Sequence, residues 1–272
     1  MREQSLENPG PSISDEIIGG ASNLFGAFTS ASIAAVDPAM AATAGMAGVL
    51  AEETLRSFLT RALGYRDRRR VSAVVSQMQT RIRFLQSEGQ SIRQDDFWQA
   101  RGNIPPAGQE VFEAVLLAAQ KEPQERKIPY MGNLFAYIAC RPEISDVSAH
   151  WLVKTAESLS WTQFELLALV NRIDEVSVEG MSVGEPALTW DSMALHRELA
   201  DLGDGEKRLT MGQPLTTENA GLEFPSTKLA DQTFSESGRL LVFALGIGNI
   251  QGPRLDDLVG RLRRPLGEEG TP

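Results

Sequence analysis

The residues able to do chemistry are few and scattered. There are two histidines, His150 in "SAHWLVK" and His196 in "MALHRELADL", and one cysteine, Cys140 in "AYIACRPE". A catalytic histidine needs a partner held at set geometry, and neither sequence context names one. Cys140 follows an apolar helical face with only Arg141 beside it, so a buried, inert thiol is expected. These three soft ligands are too few for a Cys/His zinc site. The carboxylate pairs Asp95-Asp96 and Asp256-Asp257 are adjacent in sequence. Helix neighbours point apart, so solvated helix starts are expected rather than a catalytic dyad. The glycine clusters "GIGNIQG" and "LGDGEKR" lack both the Lys-Ser/Thr pair of a phosphate loop and the GxGxxG order after a strand. No nucleophile elbow, kinase set or zincin helix is present. No catalytic residue, metal site or cofactor is assigned, and a hydrolase or nuclease without a readable signature stays open as a second alternative.

The more informative chemistry is that of surfaces. Residues 17–51, "IIGGASNLFGAFTSASIAAVDPAMAATAGMAGVLA", carry one charge, Asp37. Ser14 with Asp15 and Glu16 suits a helix start. Asp37-Pro38 breaks the run, since proline fits a first helical turn. Two helices are expected, from about 14 to 36 and from 38 to 63, with Gly64 as the stop. Residues 17–36 reach the length of about 20 needed to cross a bilayer, but Asn23 and four hydroxyl residues make their hydropathy marginal. Ile17, Ile18, Leu24, Phe25, Phe28 and Ile33 are the candidate membrane contacts. Gly19, Gly26, Ala41, Gly45 and Gly48 permit close helix approach in a hairpin. The arginines of "RALGYRDRRR" follow at once. Arg66, Arg68, Arg69 and Arg70 are candidates for anionic-lipid contact. The bland alternative is a hairpin buried as the core of a soluble bundle.

Helical signals continue beyond this run. Val71, Val74, Val75, Met78, Ile82 and Leu85 fall on one helical face, and Gly89 ends that helix. A short helix at "DDFWQ", a turn from Gly102 to Pro106 and a helix to Lys121 follow. Ile128, Met131, Leu134, Phe135 and Ile138 share the next face, with Pro129 near its start. Ser145 and Ser160 each open a helix. Short polar joints favour an antiparallel bundle. After Asp174 the order becomes helix, turn, strand, loop, strand, helix, which suits a winged-helix unit near 190–250. Its candidate helix, residues 191–202, holds Asp191, Glu198 and Asp201 against one Arg. A recognition helix should meet phosphates with positive charge, so nucleic acid is not an expected partner.

The 272-residue chain is 42% hydrophobic, ample for a core, and its net charge of −10 disfavours bulk attraction to nucleic acid or anionic lipid. The charge is uneven, however. Residues 52–101 hold ten Arg against six acids, inside an otherwise acidic protein. A single cysteine fits a reducing compartment. The start is more acidic than basic, unlike a secretory signal.

The Gly/Ala-rich apolar start, the junction "LGYRDRRR", the helices "ERKIPYMGNLFAYIA" and "SWTQFELLALV", and the tail "FSESGRLL" together resemble bacterial helical proteins of the abortive-infection kind. The resemblance covers most of the chain in layout and brings no catalytic residues. It implies a phage-defence or stress-response role, with action at the inner membrane. The expected fold is mostly α: a helical bundle with an apolar N-terminal helical hairpin and a small winged-helix-like α+β C-terminal subdomain. The expected parts are a lead-in at 1–13, the hairpin at 14–64, the bundle at 65–175, the winged-helix-like part at 185–264 and a frayed tail at 265–272. Membrane lipid, a second copy or a protein partner are the expected contacts. A soluble adaptor with the hairpin as core is the alternative. A cytoplasmic protein, at the inner face of the membrane when bound, is the expected location.

Overall fold

Val71, Val74, Val75, Met78, Ile82 and Leu85 are all buried along α1, Tyr65–Ser87, as their spacing requires. The structure is a computed structural model. It describes residues 49–51, 53–58, 64–172, 190–203, 208–211, 214–215, 226–227, 233–250 and 252–263. Two units divide the chain, Met1–Glu157 and Ser158–Pro272.

In the first unit, residues 49–51 and 53–58 are helical, and Ala51, Thr54, Leu55 and Phe58 are buried. These residues are the end of the second expected helix. The rest of the expected hairpin, including Ile17, Ile18, Leu24, Phe25, Phe28, Ile33, Gly19, Gly26, Ala41, Gly45 and Gly48, lies outside the described residues. Gly64, expected to stop the preceding helix, is the residue that opens α1. Gly89, at φ 80°, supplies the positive φ that turns the chain after it. A two-residue turn at Gly102-Asn103, closed by Arg101 and Ile104, leads to α2, Ala107–Lys121.

The tightest packing in this unit is between α1 and α3, Ile128–Ala139, where later residues of α1 meet later residues of α3. Gln77 donates to Asn133 at 2.8 Å. A Cβ on Gly132 would lie 2.6 Å from the Val74 carbonyl oxygen, so only glycine lets the two backbones come this close. Phe135 touches Phe112 of α2 at 5.0 Å between ring centres, and Trp98 at 6.4 Å. α4, Asp146–Ser158, opens at Ser145, whose Oγ accepts from the Ser148 N–H. It buries Ala149, Leu152, Val153 and Ala156.

The second unit is built around α5, Trp161–Asn171, in which residues 166–170 are all buried. A helix that is apolar all round must lie centrally, and α5 packs on α6 (Trp190–Gly203), α7 (Glu236–Leu245) and α8 (Gly252–Arg263). Ser160 caps α5 with a reciprocal box: its Oγ accepts from the Gln163 N–H, and the Gln163 side chain accepts from the Ser160 N–H. α5 therefore belongs with the C-terminal unit, not with a bundle reaching residue 175. The reason is specific: Ser160 and Gln163 also donate to Glu198 and Asp201 of α6.

Among the described residues between α6 and α7 are four two-residue strands, β1 (Thr210–Met211), β2 (Pro214–Leu215), β3 (Ser226–Thr227) and β4 (Thr233–Phe234). β1 pairs with β4 and β2 with β3, both antiparallel, so the second pair nests within the first. Ser235 caps α7, accepting from the Gly238 N–H, and Gly246 ends it in the left-handed region. Among the described residues, no helix is long and apolar enough to cross a membrane.

Candidate functional site

The first turn and a half of α1 gathers the arginines that the sequence singles out, and the fold separates their roles. Arg66 and Arg69 are exposed and Arg68 is half-buried. Arg66 donates through Nε to Glu125 at 3.2 Å. Arg70 is only 8% exposed, and its Nη1 donates to the Gln120 carbonyl at 2.9 Å. It thereby satisfies a carbonyl of the last turn of α2, where cations are favoured. Its Nε lies 3.7 Å from Glu125. Arg70 is thus corrected from a lipid contact to a structural cation, leaving Arg66, Arg68 and Arg69 for the surface role.

The remaining candidates are not brought together. Cys140 is buried at the end of α3. Burial pushes its thiol up to about 12, against the smaller opposing pull of Arg141 and Arg81. That is an inert thiol, as the sequence suggests. At neutral pH the thiolate fraction falls about a thousand-fold below that of a free thiol. Iodoacetamide should therefore leave Cys140 unmodified in the folded chain and label it fully in guanidinium, read by mass spectrometry. Rapid labelling of the folded chain would show that the thiol is open to solvent.

His150 is exposed, and its Nε2 lies 3.9 Å from Glu110. His196 lies on α6, and its side chain is outside the described residues. Asp95 accepts from Arg93, and Asp96 pairs with Arg101 at 2.5 Å on the surface. Asp256 and Asp257 are exposed on α8. Of "GIGNIQG", Gly246 to Ile250 form the turn after α7 and Gly252 opens α8, whereas most of "LGDGEKR" lies outside the described residues. Among the described residues, no group of three or more His, Cys, Asp or Glu is placed to hold a metal ion.

Two ionic devices were not legible from local sequence. Arg93 is buried over the Phe97 ring at 4.0 Å, donates to the Ile144 carbonyl at 2.8 Å and pairs with Asp95. Trp98 in turn donates to the Arg93 carbonyl. Lys127, buried with Glu122, reaches that carboxylate at 2.5 Å and donates to the Glu157 carbonyl at 3.1 Å. The available signal was a lysine set directly against an apolar helix start, "KIPYMGNLF". These buried cations bind main-chain carbonyls and carboxylates. They fix the fold, while the exposed arginines of α1 remain the candidate contact site.

No family model, curated protein or solved structure matches the chain.

Proposed function

We propose that this protein acts by contact rather than catalysis. Its apolar N-terminal run meets a membrane, or a second copy at that membrane, and the helical body carries and positions it. The observation that carries the reading is the junction. Residues 17–51 hold a single charge, and the chain then enters α1 with Arg66, Arg68 and Arg69 at or near the surface. An apolar segment flanked by cations is the pattern that settles at an anionic leaflet. The setting we propose, from the resemblance to abortive-infection proteins, is bacterial defence or stress response at the cytoplasmic face of the membrane. The order α6, paired strands, α7 supports a winged-helix-like reading of the C-terminal unit, used as a sensing or partner-binding platform rather than for DNA.

A soluble adaptor is the second reading, and the burial of Ala51, Leu55 and Phe58 favours it, because the helical residues that continue the run enter the interior. Replacing Phe25 and Phe28 by Glu in the full chain separates the two. On the membrane reading, the variant keeps its melting temperature but loses flotation with phosphatidylglycerol vesicles. Loss of the folded state, with no vesicle binding by the parent chain, would overturn it in favour of the core hairpin.

A further inference from the structure

The basic surface beside the apolar run is not confined to α1. We infer that the end of α2 and the turn before α3 complete it, forming one cationic face for the phosphodiester headgroups of an anionic bilayer. This rests on the membrane reading above and adds Lys121 and Arg126 to it.

The fold joins these segments by direct contact. Arg70 holds the Gln120 carbonyl, so Lys121, the last residue of α2, lies beside the first turns of α1. Arg66 and Arg70 both approach Glu125, so Arg126 is brought there as well. Lys121 and Arg126 are exposed, as are Arg66 and Arg69. The acids on the same side are largely occupied or few. Glu122 is buried on Lys127, and Glu125 offsets one of the two charges of Arg66 and Arg70. Asp67, half-buried on α1, and the exposed Glu157 at the end of α4 also oppose the cations. An overall acidic chain therefore presents a local surplus of positive charge. In the sequence this surplus follows the apolar run, whose last residue, Ala51, stands fifteen positions before Arg66. That continuity favours a bilayer over a nucleic acid, which has no use for an adjacent apolar segment. Headgroup contact needs no shaped pocket, only several cations within reach of one surface.

The test is partitioning of the full chain onto phosphatidylglycerol and phosphatidylcholine vesicles, with Lys121→Gln and Arg126→Gln combined. Each charge lost at such a surface weakens binding by a similar factor, so the pair should lower phosphatidylglycerol partitioning about thirty-fold at low salt. The effect should shrink as salt rises, and phosphatidylcholine partitioning should not change. The charge-keeping pair Lys121→Arg and Arg126→Lys should retain the parent's preference, which excludes a folding effect. If the neutral pair binds phosphatidylglycerol as the parent does, the extended face is wrong while the membrane reading stands. A parent chain that binds neither vesicle overturns both. A parent that prefers duplex DNA to phosphatidylglycerol overturns the assignment of the face to lipid.

Discussion

Lys127→Met should destabilise the N-terminal unit by about 3–5 kcal/mol, the usual cost of breaking a buried ion pair from one side. Lys127 is 2% exposed and Glu122 6%, and their charged atoms lie 2.5 Å apart. The lysine also donates to the Glu157 carbonyl, which ties the turn before α3 to the end of α4. Glu122 accepts from the Gln124 N–H as well, so it is held in place and cannot follow the lost lysine out to water. Methionine matches the stem of lysine but leaves a buried carboxylate without its cation. The double variant Lys127→Met with Glu122→Leu removes the stranded charge and should recover a large part of the loss. Urea midpoints followed at the Trp98 region, inside this unit, measure both. A single-variant loss below 1 kcal/mol would mean that the pair is hydrated rather than buried.

Gly238→Ala should cost the C-terminal unit about 3 kcal/mol, the upper part of the range for overpacking. A Cβ on Gly238 would overlap the Leu209 carbonyl oxygen, main chain that cannot swing aside as a side chain would. That oxygen already accepts from the N–H and the Oγ of Ser235, the residue that caps α7. Alanine must therefore push α7 off the strand lead and break the cap contacts together. Gly260 on α8 is the matched control, because a Cβ there meets nothing within 4 Å. Gly260→Ala should instead stabilise by about 0.5–1 kcal/mol through helix propensity. Amide exchange at Ser235 should quicken in the first variant only. Equal melting of the two variants would refute the close approach.

Periodicity and capping were legible because they are local. The stripe from Val71 to Leu85, Pro129 in the first turn of α3 and Ser160 as a helix start all follow from spacing within one helix. Arg70 was partly legible: it stands four residues before Val74, on the edge of the same stripe, and so turns inward while Arg69 does not. Its partner was not legible, because the Gln120 carbonyl is 50 residues away. The same distance problem hid the division into units. Ser160 and Gln163 find Glu198 and Asp201 across 38 residues, and this assigns α5 to the C-terminal unit. These contacts also direct two acids of α6 toward the start of α5, where sequence alone counted them only as negative charge against a phosphate backbone.

The inert Cys140 makes one measurement direct. Phe28→Cys adds a second thiol, and only that one should react with an environment-sensitive fluorophore in the folded chain. We expect emission typical of water in buffer and a marked blue shift on adding phosphatidylglycerol vesicles, as the apolar run enters the bilayer. Emission already blue in buffer and unmoved by vesicles would place the run inside the protein and contradict the account.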